Sequence, residues 1–201
     1  MCVGSSDEKR NLAISSLAKD PGFEDIIPHL VSFVTEGVRM NVNEQNMVSL
    51  IYLMRMVDSF VSNPNINIEH YLHDIIPSVL TCVITKTLYK KQDENHWALR
   101  DYSAKLITVI CKKFSDSYNN YHAQIYGLIS EIISSDNFTK HTWNAKYGAI
   151  KILCELGSNS LKVYMLPKLK FLSDQMVDHL DSSEIEALAQ KAIKKIWNTL
   201  Q

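Results

Sequence analysis

The chain has 201 residues, of which 46% are hydrophobic and 21% charged, with a net charge of -1. That balance excludes a disordered polyelectrolyte and offers no overall basic surplus for nucleic acid or an anionic membrane. Six glycines and five prolines are too few for an all-β fold, which needs a turn every ten residues or so.

No apolar run reaches the roughly eighteen residues of a membrane span, and Met1 to Arg10 lacks the apolar stretch of a signal peptide. Cys82, Cys111 and Cys154 lie in apolar helical segments, so with Cys2 they read as thiols in a reducing compartment. The triplet Asn137-Phe138-Thr139 is a glycosylation signal of a kind that arises often by chance.

In chain order, the periodicity predicts a lone helix at 7–19, then helix pairs at 24–37 with 43–62 and 68–88 with 96–114. Further pairs follow at 120–134 with 142–156 and 161–179 with 183–200. Gly37 and Gly157 are placed as C-terminal caps. The segment Met47 to Val57 is apolar almost all round and should be sandwiched, with Tyr52, Arg55 and Ser59 reaching a surface. Pro77 falls inside its helix and should bend it. Asp101, Lys105, Thr108 and Lys112 form a solvated stripe opposite Ser103, Ile107, Ile110 and Phe114. In the last helix Ile185, Leu188, Ala192, Ile196 and Leu200 point inward, and Gln190, Lys191, Lys194 and Lys195 outward.

Two interleaved repeats organise these helices. Ile26-Ile27-Pro28, Ile75-Ile76-Pro77 and Met165-Leu166-Pro167 mark first helices, the prolines lying 49 and then 90 residues apart, the latter close to two periods. Trp97-x-x-Arg100 and Trp143-x-x-Lys146 mark second helices at an offset of 46. A period of this length belongs to solenoids of paired helices. The expected fold is therefore all-α, a right-handed α-solenoid of HEAT repeats with about four to five helix pairs and about nine helices. Residues 1–20 supply a partial first repeat, continuous with a solenoid over 21–201 as a single domain. Both tryptophans are expected in the core.

Chemistry is not expected. The glycines form no phosphate loop, and neither H-E-x-x-H nor C-x-x-C occurs. His70 and His73 lack a further ligand at metal spacing, and Cys154 with His141 upstream reads as core rather than a nucleophile with its base. The reading is of no enzyme: no catalytic residue, no cofactor, no metal and no small-molecule substrate. Lysine clusters at Lys86/Lys90/Lys91 with Arg100, at Lys112/Lys113 and at Lys140/Lys146/Lys151 leave direct DNA or nucleosome binding as the alternative function.

Longer strings go beyond a generic repeat. Thr35-Glu36-Gly37-Val38-Arg39-Met40-Asn41-Val42, Leu50 to Val57, Asn95-His96-Trp97-Ala98-Leu99-Arg100-Asp101 and Ile110 to Ser115 resemble the C-terminal domain of subunit 6 of the general transcription factor TFIID. Lys146-Tyr147-Gly148, Glu155-Leu156-Gly157 and Leu166-Pro167-Lys168-Leu169 extend the likeness, which runs from residue 2 to about 170. The resemblance implies a nuclear HEAT-repeat scaffold that supports RNA polymerase II initiation and binds other TFIID subunits, with SAGA-type assemblies as a second setting. With the charge balance and the lack of a long apolar run, no DNA contact by this chain and no membrane are expected. Family members also carry an N-terminal histone fold, which these residues do not match. Partner contact is expected from polar residues inside the family-like strings: Arg39, Asn41, Arg55, Asn95, His96, Arg100 and Asp101. Helix capping or bridging of adjacent repeats is the competing role for Arg100 and Asp101.

Overall fold

A computed structural model describes residues 6–91, 94–115, 120–137, 141–181 and 187–200, excepting the side chains of 179–181, 187 and 188. Every regular element among the described residues is helical. The longer helices are α1 (Asp7–Leu17), α2 (Ile27–Asn43), α3 (Met47–Ser62), α4 (Leu72–Ile84) and α5 (His96–Lys113). They continue as α6 (Tyr121–Ser134), α7 (Trp143–Leu156), α8 (Leu169–Asp181) and α9 (Ala187–Leu200).

The apolar stripes sort these helices into two layers. One runs α1, α3, α5, α7 and α9, each packed on the next. The other holds α2, α4, α6 and α8, and within each repeat α2 packs on α3, α4 on α5 and α6 on α7. The core lies between the layers, where Leu50, Phe60, Ile75, Ile107 and Ile150 are fully buried. Helix α1 therefore lies in the layer of the second helices, against α3. Trp97 and Trp143 are buried, as expected, and Trp97 meets the edge of the Tyr147 ring at 4.9 Å.

Helix ends depart from the sequence reading in instructive ways. Gly37 does not end α2, which runs six residues further to Asn43. A Cβ at Gly37 would lie 3.0 Å from Leu53 Cδ1, so this glycine lets α2 and α3 approach. The cap is instead Gln45, in the left-handed region at φ 54. Its N–H reaches Val42 O at 3.2 Å and the Asn46 N–H reaches Asn41 O at 2.8 Å, a double closure of the last turn. Gly157 does cap α7, at φ 108, with its N–H 3.2 Å from both Leu153 O and Cys154 O.

Beyond Gly157 the chain re-enters helix at once, through a turn at Ser158–Ser160, a wide π-type turn at Leu161–Met165 and a tight 3-10 turn at Leu166–Lys168. The irregularity surrounds Pro167, which lacks an N–H and whose ring crowds the carbonyl four residues back. Pro77 does sit inside α4, which is shorter than the expected 68–88.

Some faces also differ. Ser59 and Thr108 are buried, because their hydroxyls bond carbonyls of their own helices, Arg55 O at 2.8 Å and Ala104 O at 3.1 Å. Val48, within the segment expected to be sandwiched, is exposed. Lys195 turns back, its ammonium 5.2 Å from the Trp97 ring centre. Ile185 lies outside the described residues, as does the Leu188 side chain.

Candidate interaction surface and the buried polar ladder

An α-helix leaves its last four carbonyls without intrahelical donors. At the end of α4 those carbonyls point into the protein, and Arg100 of α5 closes them. Its Nη1 donates to Val83 O at 2.5 Å and its Nη2 to Thr85 O at 2.6 Å. Its Nε donates to His96 Nδ1, one turn earlier on α5, at 3.2 Å. The guanidinium fork suits three divergent acceptors and complements the negative end of the α4 dipole. His96 must be neutral to accept, and burial pushes its imidazole down to about 3, with Arg100 and Lys195 adding to the effect. Burial also lowers Arg100, to about 10, which leaves it charged at neutral pH.

His96 and Arg100 are 1% and 0% exposed, so they are corrected from partner contacts to internal supports. An arginine whose Nε, Nη1 and Nη2 all donate to internal acceptors is committed to holding the end of α4.

The equivalent position one repeat later is Lys146, also fully buried. Its ammonium donates to Ser135 O at 2.8 Å, just past the end of α6, and to Gln175 Oε1 of α8 at 2.6 Å. Gln175 in turn donates to the Asp136 carboxylate. Other lysines act alike: Lys113 caps the end of α3 at Val61 O (2.5 Å), and Lys168 reaches Ser130 O of α6 at 2.8 Å. The motif Trp-x-x-basic was visible in the sequence; its meaning, a cation sealing the preceding helix, was not.

Burial lowers Lys146 to about 8, Asp136 opposing the effect. The unfolded chain therefore holds more protons than the folded one between about 8 and the ordinary lysine value, and the cost of burying the charge is relieved as pH rises through that window. Urea unfolding at several pH values should show the wild type gaining on Lys146→Met between pH 7 and about pH 10. Parallel pH profiles for the two would refute it.

Tyrosines bridge successive second helices. Tyr102 of α5 donates to Asp58 Oδ2 of α3 at 2.7 Å, and Tyr147 of α7 donates to Asp101 Oδ1 of α5 at 2.6 Å. Burial, then the bond to the carboxylate, raises both phenols far above their usual range. Asp101 is half-buried and committed to this inter-repeat bridge.

The other candidates divide by exposure. Arg39 is exposed on α2 and pairs with Glu36 at 2.7 Å, and Asn95 is exposed just before α5. Asn41 is half-buried and donates to Gly37 O at 2.7 Å; Arg55, also half-buried, ties α3 to α1 through Asn11 Oδ1 at 3.1 Å. The basic clusters lose members to the interior. Arg100 and Lys146 are buried, Lys113 caps α3, and Lys151 pairs with Glu155 at 2.9 Å. Lys140 lies outside the described residues.

One groove of about 510 Å³ opens between α4 and α6, lined by Leu72, Ile76, Pro77, Leu80, Tyr121 and Ile125 with His73 and Gln124. Among the described residues no group of three or more His, Cys, Asp or Glu side chains is placed to hold a metal ion, and no helix is long and apolar enough to cross a membrane.

Comparison with known proteins agrees with this architecture. Residues 1–170 match the family model described as the TAF6 C-terminal HEAT repeat domain. The transcription initiation factor TFIID subunit 6 of Drosophila melanogaster is 39% identical over all 201 residues, and that of Arabidopsis thaliana 33% identical over 92% of this chain. The Schizosaccharomyces pombe SAGA complex/transcription factor TFIID complex subunit Taf6 is 29% identical over 96% of the chain. The chain spans about a third of the first two relatives, 33% and 32%, and 42% of the third. The solved TAF6 C-terminal domain from Antonospora locustae superposes with a TM-score of 0.71 at 22% identity, covering 96% of this chain and 89% of that one, and so shows the same helical solenoid fold. The chain belongs to the TAF6 C-terminal HEAT repeat domain family.

Proposed function

We propose that the chain is a protein-interaction scaffold within TFIID, working in the nucleus in support of RNA polymerase II initiation, with other TFIID subunits as its partners. Residues 1–20 form a partial repeat of one domain continuous with 21–201 in this reading. Family membership supports the transcription role, and the name of the fission yeast relative extends it to SAGA-type assemblies. The observation that carries the scaffold reading is the outer face of α2 together with Ile26, the residue just before it. Ile26, Phe33 and Met40, at i, i+7 and i+14, are 40%, 52% and 54% exposed beside the Arg39–Glu36 pair. A mixed apolar and charged face is typical of a protein-binding patch.

The test is capture of TFIID subunits by the purified chain. Phe33→Ser, Met40→Ser and Arg39→Glu together should reduce capture at least about tenfold while leaving thermal unfolding unchanged, since these side chains are exposed. Full capture by the folded triple variant would remove the α2 face from the proposal. Arg100 is unsuited to such a test because it supports α4.

A further inference from the structure

The segment from Leu156 to Ser173 contains Lys162, Lys168 and Lys170 and no aspartate or glutamate. In a chain with 21 basic and 22 acidic residues, this is a sharp local departure. The same stretch carries a concentration of exposed apolar side chains: Val163 at 61%, Leu166 at 57%, Leu169 at 40% and Phe171 at 36%. It is also where the backbone leaves α-geometry, in the π-type turn and the 3-10 turn around Pro167.

Burial divides the side chains of this stretch. Met165 and Leu172 face the core and are buried, while the half-buried Tyr164 stacks on Tyr126 of α6 at 4.2 Å. Tyr126 also bonds the Ser160 hydroxyl at 2.8 Å, and Lys168 is spent on Ser130. The inner side of the segment is thus held firmly to α6, and Lys162, Val163, Leu166, Leu169, Lys170 and Phe171 are left on the outer side. Among the described residues neither Lys162 nor Lys170 forms an ion pair.

Four apolar side chains in water favour a partner that covers them, and two ammonium groups beside them select its charge. We propose that the outer face from Lys162 to Phe171 is a docking surface for an acidic protein segment bearing spaced, large apolar side chains. The apolar anchors of such a segment would cover Val163, Leu166 and Leu169, and its carboxylates would meet Lys162 and Lys170. The lysine stems flex over apolar surface while the charge stays at the rim, which suits carboxylates at more than one register. The face lies on a different helix from the α2 patch. It deepens the scaffold reading, on which it rests for the expectation that the chain binds protein at all.

The experiment uses the full 201-residue chain and three labelled synthetic helical peptides in fluorescence anisotropy. The first carries Asp and Glu with Leu and Phe at i, i+4 and i+7; the second replaces its acids with Lys; the third replaces its apolar residues with Ser. Binding of the first alone is expected, weakened by added salt. Lys162→Glu with Lys170→Glu, and separately Val163→Ser with Leu166→Ser, should each weaken it at least about tenfold with unchanged thermal unfolding. Undetectable binding of the first peptide at millimolar concentration, equal binding of the lysine peptide, or unchanged affinity in either variant overturns the proposal. So does displacement of the peptide by duplex DNA with the same dependence on Lys162 and Lys170, which would make the face a general anion site. Capture of TFIID subunits, measured in parallel, separates the two readings. Subunits retained while the peptide fails leaves the scaffold standing and removes only this face.

Discussion

Replacing Arg100 with methionine is expected to destabilise the chain by about 2–4 kcal/mol, read as a lower urea midpoint with unchanged slope. Methionine retains much of the side-chain volume, so packing is not the main loss. The loss is the pair of carbonyls left without their donors, Val83 O fully buried and Thr85 O half-buried. Each orphaned group costs about 1–3 kcal/mol, and the sum is offset in part because a guanidinium no longer has to be desolvated. Arg100→Lys should be intermediate: it retains charge against the α4 dipole, but an ammonium on a straight stem cannot span Val83 O, Thr85 O and His96 Nδ1 together. A second readout is independent of stability. His96 loses both a donor and a neighbouring positive charge in Arg100→Met, so its imidazole should titrate above its wild-type value of about 3 in an NMR pH series. A wild-type urea midpoint together with an unmoved His96 would show that Arg100 does not support α4.

How much of this was legible from the sequence can be judged residue by residue. The helix pairs were, because the 3.6-residue period is written by the apolar side chains themselves; α6 and α7 fall within a residue or two of the 120–134 and 142–156 expected. The equivalence of Arg100 and Lys146 was legible too, since each stands three residues after a tryptophan. Their direction was not. A charged residue in a helix defaults to solvent, and only the three-dimensional placement of the α4 and α6 carbonyl ends supplies the acceptors that offset the desolvation of these cations. Asn95 and Asp101 flank the same motif yet part ways, Asn95 to the surface and Asp101 to the Tyr147 hydroxyl of the next repeat. Glycines show the same division. Gly157 ends an apolar run and needs a positive φ, which is a local property, whereas Gly37 answers to Leu53 sixteen residues away on another helix. The Lys162 to Phe171 face needed both sources, composition for its charge and the fold for its exposure.

Gly148→Ala is the second change expected to have a large effect, and it acts on the same carbonyl. A Cβ at position 148 would stand 2.4 Å from Val83 O and 2.6 Å from Val83 Cγ1. The first of these is backbone at the end of α4, already fixed by Arg100 at 2.5 Å, so it cannot swing aside as a flexible side chain would. Helix α7 must move off α4, or the last turn of α4 must move off Arg100. Alanine gains about 1 kcal/mol over glycine in a helix interior, yet overpacking against backbone costs more, and a net loss of about 2–4 kcal/mol is expected. Gly127→Ala in α6 is the matched control. Nothing lies within 4 Å of its Cβ, so the same substitution there should stabilise by about 0.5–1 kcal/mol. Because Gly148 and Arg100 converge on Val83 O, the double variant Arg100→Met with Gly148→Ala should lose less than the sum of the single losses, by about 1 kcal/mol. Strict additivity, or a Gly148→Ala protein as stable as the wild type, would mean that α4, α5 and α7 do not meet as tightly at Val83 as the geometry requires.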